Sequence, residues 1–573
     1  MPCLLCCQQS PRDQSRRQMR KSDGPEPLIT SHDTLRKTPH PPPPSPIETE
    51  LKLAIQSTQV EAVRALMAHL DGPAVHDDLE TLYLDTPDFA LHARGVSVRL
   101  RRRGAVWIQS IKSDGLRRGG LSSRREWEVA VPRGDLQWEL FPKAARKHIP
   151  PSLRVRCRHA FTTHIHRTSW LIKTDAGTAI EVALDVGTVQ AGRRHEPVCE
   201  IELELKSGTA DELAVLVGQH LQTISFWPLD DSKAERGARL AQGKPPSATA
   251  LDRRSFAVTL DARMSLTQAW VTVGRACLAH FQASLAGWHL TAEDEPAHSP
   301  PAGRKPKITE DPRVEWIHQA RVALRRLRGA MRLFRDDHAI DSELEQSLRT
   351  MAQALGAARD WDVLCDQTIP PIAGACHDAA AWGLLETQAA SRRSEARTEL
   401  RRTLDDVKAG AWLLAMHQAL NQQEKKAAAQ PAKGNPPRLD DWIQKVLHRG
   451  HRKISRDVKR WSQLTPLERH ALRITIKRQR YAVEFFQSRL SARRTRRYLA
   501  AMIEAQEVLG QANDLAVARS MLPRLTEGTK RHQTAMVSSV SFAHGWLAAK
   551  TQDESTELKP KTKSILKASS LPI

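Results

Sequence analysis

Aromatic side chains are scarce in this chain. Of 573 residues only 3 are Tyr and 10 are Phe, against 14 Trp. That leaves little material for stacking successive bases, which argues against a reader of single-stranded nucleic acid. No groove-reading motif is present either, so nucleic acid is not the expected partner. Acid is in deficit: 65 Asp and Glu stand against 87 Lys and Arg, a formal net charge of +22. Such an excess points to a polyanion, whether nucleic acid, an anionic membrane surface or a phosphate-rich ligand. Long hydrophobic runs are missing. No stretch reaches the ~18 apolar residues a membrane span needs, so no membrane is expected. A paired cysteine framework is missing too. Cys3, Cys6, Cys7, Cys157, Cys199, Cys277, Cys365 and Cys376 are scattered, and a reducing compartment is the simple reading. Cys3, Cys6 and Cys7 could ligate a metal, but a stray cluster in a disordered tail is the simpler account. The first residues lack the charged start and apolar stretch of a signal peptide. The expected location is the cytoplasm, with association with polyphosphate granules considered.

What is present divides the chain by period. Residues 1–45 are polar, basic and end in PHPPPPSP, which reads as a disordered tail with a polyproline spacer. Residues 46–243 are mostly of period two. The expected strands are IETELKLAI, TLYLD, VSVRLRRR, AVWIQSIKS, REWEVAV, TSWLIKTD, TAIEVALDVGTV and CEIELELKS, with helices at Gln59–Leu70 and Asp211–Leu221. Residues 244–263 read as a linker. From 264 to 547 the period is helical, interrupted by TAEDEPAHSPPAGRKPKITEDP and NQQEKKAAAQPAKGNPP. Residues 548–573 read as a disordered basic tail.

The strands carry charge in an uncommon pattern. In CEIELELKSG, alternation puts Glu200, Glu202, Glu204 and Lys206 on one face and Ile201, Leu203 and Leu205 on the other. IETELKL does the same with Glu48, Glu50 and Lys52. SVRLRRR gathers Arg99, Arg101 and Arg103. Arg124, Glu126 and Glu128 share a face, as do Glu181 and Asp185, and Lys112 lies on WIQSIKS. One charged, solvated face is ordinary for an antiparallel strand. Taken together, however, some strands collect acid and others arginine. Same-face carboxylates about 6.5–7 Å apart repel by roughly 0.6 kcal/mol even in water. The segregation suits a surface that holds a metal cation beside a polyanion. Metal-dependent phosphoryl transfer fits: Mg2+ or Mn2+ takes carboxylate oxygens, and Arg and Lys line a phosphate chain. A closed barrel with a wet lumen makes a charged interior bearable.

The signature Glu48-Thr-Glu50-Leu-Lys52, followed in order by YLDTPD, VRLRR, WIQSIK, RREWEV, EVALDVG, CEIELELKSG and SKAERG, resembles the CYTH domain of the triphosphate tunnel metalloenzymes. The resemblance covers about residues 47–243. It implies an eight-stranded antiparallel tunnel with flanking helices. It implies Glu48, Glu50, Glu202 and Glu204 as metal ligands, and Lys52, Arg99, Arg101, Lys112, Arg124 and Lys233 as phosphate contacts. Glu126, Glu128 and Asp185 become metal or water-positioning groups, with Asp185 placed among the ligands and Lys52, Glu126 and Glu128 among the catalytic candidates. Which group orients the attacking water stays open at this point.

The helical half repeats itself. His318, Arg321, Arg325, Arg326 and Arg328 recur 152 positions later as His470, Arg473, Lys477, Arg478 and Arg480, and LGAARDWDVL echoes LGQANDLAVA. At ~100° per residue, Arg321, Arg325, Arg328 and Arg332 form one stripe with His318 on its edge. A solvated basic face is the plain explanation. Yet like charges at i,i+4 cost a few tenths of a kcal/mol each, and finding that cost twice suggests a shared anionic ligand. Asp360 and Asp514 read as salt-bridge partners that orient arginines. These motifs resemble the CHAD domain over about residues 264–546. The resemblance implies a double four-helix bundle around a basic cleft that binds inorganic polyphosphate through His318, Arg321, Arg325, Arg328, His470, Arg473, Lys477 and Arg480.

The expected molecule is thus a multidomain α+β protein resembling bacterial CYTH–CHAD inorganic triphosphatases. It would hydrolyse inorganic triphosphate to phosphate and pyrophosphate and bind polyphosphate. The alternatives are a non-catalytic polyphosphate binder, or an enzyme like thiamine triphosphatase or class IV adenylate cyclase.

Overall fold

The computed structural model describes residues 47–573 except 70–72, 114, 175–176, 245–257, 293–310, 336–339, 377–378, 430–437, 528–533, 535, 551–570 and 572–573. The expected N-terminal tail, with Cys3, Cys6 and Cys7, lies outside the described residues. So do most of the expected linker, most of the basic tail and parts of both interruptions.

Among the described residues there are ten strands: β1 (Ile47–Ile55), β2 (Val75–Asp85), β3 (Ser97–Arg103), β4 (Val106–Lys112), β5 (Leu116–Arg118), β6 (Leu121–Val131), β7 (Arg158–Lys173), β8 (Ala179–Ala191), β9 (Arg194–Ser207) and β10 (Phe226–Pro228). They form one antiparallel sheet in the order β10-β1-β9-β8-β7-β2-β3-β4-β6-β5. β1 also pairs with β6, Ile47 opposite Arg125 through Leu51 opposite Leu121. That contact closes eight strands into a barrel, and leaves β5 and β10 as short riders. One edge of β1 is divided, with β6 along Ile47–Leu51 and β10 along Leu53–Ile55. Its other edge pairs with β9.

The eight barrel strands are those expected, but β2 and β7 begin well before TLYLD and TSWLIKTD. Both strand faces are buried, for different reasons. Outward Leu51, Leu53, Ile201 and Leu203 pack under α1 (Val60–Ala68) and α2 (Ala210–His220), against Val63, Met67, Leu213 and Leu216. Outward Val98, Ile111 and Trp127 pack under one-turn helices at Lys143–Arg146 and Pro151–Arg154. Helix α3 (Lys233–Ala241) opens on a capping box between Ser232 and Glu235. It packs Ala238 against Leu79, Tyr83 and Phe161. A Cβ at Gly237 would overlap the Phe161 ring, so only glycine permits this approach.

The rest is helical: α4 (Leu266–Ala292), α5 (Pro312–Leu333), α6 (Ser342–Val363), α7 (Ala379–Asp406), α8 (Ala409–Ala429), α9 (Leu439–Lys459), α10 (Pro466–Phe486), α11 (Ala492–Met521) and a helix over 536–550. The stretch NQQEKKAAA, read above as part of a flexible interruption, continues α8 to Ala429. Gln, Glu, Lys and Ala are all good helix formers. The two repeat halves share a continuous core, in which Phe334 stacks on Trp442 with ring centroids 4.9 Å apart. Arg326 of α5 is buried and donates to Glu484 of α10 at 2.8 Å. The barrel docks on these helices through β10. Gln282 of α4 donates to the Pro228 carbonyl at 2.9 Å, and Leu414 of α8 joins the barrel's outer core. No helix among the described residues is long and apolar enough to cross a membrane.

Candidate active site

The barrel encloses a lumen cavity of about 260 Å3. Every barrel residue singled out from the sequence lines it: Glu48, Glu50 and Lys52 from β1, Arg99 and Arg101 from β3, Lys112 from β4, Arg124, Glu126 and Glu128 from β6, Asp185 from β8, Glu202 and Glu204 from β9, and Lys233 from α3. The register explains the acidic side. Glu50 stands opposite Glu204, Lys52 opposite Glu202, Glu181 opposite Glu204, and Asp185 opposite Glu200.

The charges are paired across strands. Lys112 Nζ donates to Glu48 Oε1 at 2.7 Å and lies 2.9 Å from Glu126. Glu50 accepts from Lys52 Nζ at 2.7 Å, Arg124 Nη2 at 2.9 Å and Ser122 Oγ at 3.1 Å. Arg99 donates to Glu126 at 2.8 Å and to Glu128 at 3.3 Å. Burial alone would raise the Glu50 carboxyl, but Lys52, Lys112 and Arg124 hold it well below the usual carboxylate range. Glu204 goes the other way. Burial, with Glu48 and Glu181 beside it, outweighs Lys206 and raises its carboxyl. Arg101 is pushed down to about 10 by burial and by Arg99 and Arg167. Among the described residues no carboxylate lies within ion-pair distance of Arg101.

Two residues of the site were given no role in the sequence reading, Arg167 in the lumen wall and Glu200 buried behind it. Arg167 of β7 donates to Asp185 at 2.7 Å and lies 2.5 Å from Glu202. Its signal was the inward row Thr163, Ile165, Arg167, Ser169. Glu200 was visible on its strand but was assigned no role. Its carboxylate, with those of Asp185 and Glu202, forms a group whose oxygens lie within 4.8 Å of one another. The Lys233 ammonium stands among these three, 2.6 Å from Asp185, 3.0 Å from Glu202 and in contact with Glu200. Lys233, expected to meet phosphate, is therefore held by carboxylates. Glu48, Glu50, Glu202 and Glu204 face one lumen, but among the described residues they do not form such a close group. The donor set still suits a hard divalent cation. It consists of carboxylate oxygens from adjacent strands facing one space, and the crowding around Glu204 is what a cation would relieve.

The basic stripes also converge. Arg321 and Arg325 of α5 lie near Arg473 and Lys477 of α10, as the electrostatic coupling of Lys477 to all three arginines shows. Burial and these arginines push Lys477 down to about 7. Burial and Arg359, Arg325 and Arg321 push His318 down to about 3, so it is neutral at ordinary pH. Arg359 of α6 was not singled out from the sequence, although it adjoins Asp360. Asp514 lies 3.9 Å from Arg473. The Asp360 carboxyl is raised by burial despite Arg321, with Asp514 adding to the rise, so the two repeats meet here. Arg328 is exposed, and it and Arg332 lie near Arg478. Arg480 is half-buried 3.5 Å from Glu484. His470 is exposed, unlike half-buried His318.

Comparison with known proteins adds the following. Residues 46–237 match the family model of the CYTH domain, and residues 302–523 that of the CHAD domain. An inorganic triphosphatase of Haemophilus influenzae is 30% identical over 205 residues, which is 33% of this chain and 54% of that one. The chain thus spans about half the length of that relative. The CHAD domain structure from the plant Ricinus communis is 26% identical, with a TM-score of 0.46, covering 56% of this chain and 98% of that one. A putative adenylyl cyclase from Hippeastrum, described as having a dominant triphosphatase activity, is 16% identical, with a TM-score of 0.26, covering 35% and 97%. The chain joins a CYTH domain to a CHAD domain.

Proposed function

We propose that the lumen hydrolyses inorganic triphosphate to phosphate and pyrophosphate with the help of Mg2+ or Mn2+, and that the α5–α10 helix pair binds inorganic polyphosphate. The observation that carries the first half is one closed lumen in which carboxylates of β1 and β9 face guanidinium and ammonium groups of β3, β4 and β6. The relative named an inorganic triphosphatase supports it.

Glu48, Glu50, Glu202 and Glu204, with Asp185, would hold the cation. When bound, it supplies polarisation of a phosphoryl oxygen or activation of water. Arg99, Arg101, Lys112 and Arg124 bind and orient the chain and offset charge as the bridge breaks. Arg101 meets an anion without giving up a carboxylate. Glu126 accepts from Arg99 and contacts Lys112, which fixes the direction of both. Glu128 takes a second hydrogen bond from Arg99. Lys52 donates to Glu50 and sits opposite Glu202, between carboxylates of two strands, where it can orient water. On the helices, His318, Arg321, Arg325, Arg328, His470, Arg473, Lys477 and Arg480 would grip the longer chain and retain the protein on cytoplasmic polyphosphate.

The test is phosphate release from inorganic triphosphate, thiamine triphosphate and ATP, side by side, with Mg2+, Mn2+ or a chelator. Metal-dependent release fastest from inorganic triphosphate is expected. No metal-dependent release from any of the three would leave a polyphosphate binder.

A further inference from the structure

Lys52 sits where the edge of β1 passes from β6 to β10. Its backbone N–H donates to the Gly120 carbonyl at 3.0 Å, and its carbonyl accepts from the Leu229 N–H at 2.9 Å. Both holds lead to the helical half. Gly119 and Gly120 make the turn between β5 and β6, with φ of +61° and +82°. The turn is wedged between two neighbours. A Cβ at Gly120 would lie 2.6 Å from the Lys52 carbonyl oxygen, and one at Gly119 would lie 2.6 Å from the His417 ring of α8. On the other side of Lys52, Trp227 of β10 is buried in the helical core, and Gln282 of α4 donates to the Pro228 carbonyl, one residue before Leu229. Asp230 accepts from the Gly120 N–H at 2.8 Å and ties the turn to the chain leaving β10. His417 is 9% exposed, and its Nε2 has no hydrogen-bond partner. Burial, with Arg275 and Arg118 nearby, pushes the ring down to about 4. It is therefore neutral at ordinary pH and meets the turn through its shape.

We infer that His417 is a positioning residue for the lumen: through the β5–β6 turn it sets the place of Lys52, so that turnover in the barrel depends on how α8 is seated. The inference rests on the reading of the lumen as a triphosphate site in which Lys52 orients water. The Lys52 ammonium reaches Glu50 at 2.7 Å, and its aim follows from the peptide that carries it. No side chain stands on the two glycines to absorb a shift between the His417 ring and that peptide. With β10 fixed by Gln282, a shift of the turn tilts the Lys52 peptide instead of carrying it along.

The test is a double-mutant cycle. His417→Ala removes the ring. His417→Leu keeps most of its volume without the flat face, and serves as a second variant should the first not fold. Lys52→Met keeps the stem of Lys52 and removes its charge; it should slow turnover by about 10²-fold and leave it measurable. Triphosphate kcat and KM are measured in the full chain with each His417 change, alone and combined with Lys52→Met, with melting temperatures as a check on folding. His417→Ala should lower kcat about tenfold and leave KM within about twofold, with a smaller loss in His417→Leu. In the Lys52→Met background the same changes should alter kcat by less than about twofold, because their effect runs through Lys52. An equal loss in both backgrounds overturns the positioning role, as a purely structural weakening would act in each. So does an unchanged kcat in the folded His417 variants. Either result leaves the lumen reading intact. Absence of triphosphate turnover in the unmutated protein overturns the reading of the lumen, and the positioning role with it.

Discussion

Glu50 touches Lys52, Arg124 and Ser122 at once, so its replacement tests chemistry and stability together. Glu50→Gln keeps the volume and removes the charge. Triphosphate hydrolysis should be lost while polyphosphate retention, measured by gel shift or calorimetry, persists. Loss of both would mean that the two sites are not separate. Glu50→Ala should also lower stability, by about 3–5 kcal/mol, because it strands buried cations. Lys477 gives a second test at this scale. Its ammonium loses its proton near pH 7, and a bound anion would restore it. Polyphosphate binding should therefore take up a proton above pH 7. Affinity should fall as pH rises from there, by up to about tenfold per unit. Calorimetry in buffers of different ionisation heat reads the uptake, and Lys477→Arg should flatten the profile. A flat profile in the unmutated protein contradicts the assignment. His318, already neutral in this range, adds nothing to the slope.

At the scale of elements, the two helices of the repeat are less alike than their sequences. Arg326 aligns with Arg478, yet Arg326 is buried against Glu484 and Arg478 is exposed. Arg326→Ala should lower stability in denaturant unfolding, by less than the about 3–5 kcal/mol of a fully broken buried pair, since it removes the nearer cation and leaves Glu484 with Arg480 at 3.5 Å. Paired Arg325→Glu and Arg328→Glu changes should weaken polyphosphate retention and spare triphosphate hydrolysis. Equal loss of both activities would tie the stripe to the lumen. The same contrast shows what the sequence made legible. Alternation exposed β1, β3 and β9, because Glu or Arg on one face met Leu, Ile or Val on the other. The first halves of β2 and β7 stayed hidden. There the outward positions are solvated Asp78, His164 and His166 and the inward ones include Asp77 and Arg167, so polar residues lie on both faces and no hydrophobic contrast remains. Arg167 was missed with its strand. Lys233 was found, but its three carboxylate partners depend on how α3 docks, which strand periodicity does not encode. The repeat likewise revealed the basic stripes and not the core that fuses the halves.

At the scale of the whole molecule, barrel and helices meet over a short, tight seam. Gly410, near the start of α8, lies so close to the Phe226 carbonyl that any Cβ would overlap it. Ser225 Oγ donates to Asp405 at 3.0 Å beside it. Gly410→Val should force the seam apart. Scanning calorimetry would then show two transitions, or one broadened transition, where the unmutated protein melts more cooperatively. An unchanged melting profile would show that the seam yields without loss.

The divided edge of β1 also bears on synthesis. A nascent chain leaves the ribosome with β1 early, but Leu53 needs Ile201 on one side and Pro228 on the other. Until those residues emerge, the first strand has unsatisfied backbone groups and a row of leucines with nothing to cover them, the kind of exposed edge that invites aggregation. The barrel can therefore close only once residue 228 has emerged, while the helical half is still to be made.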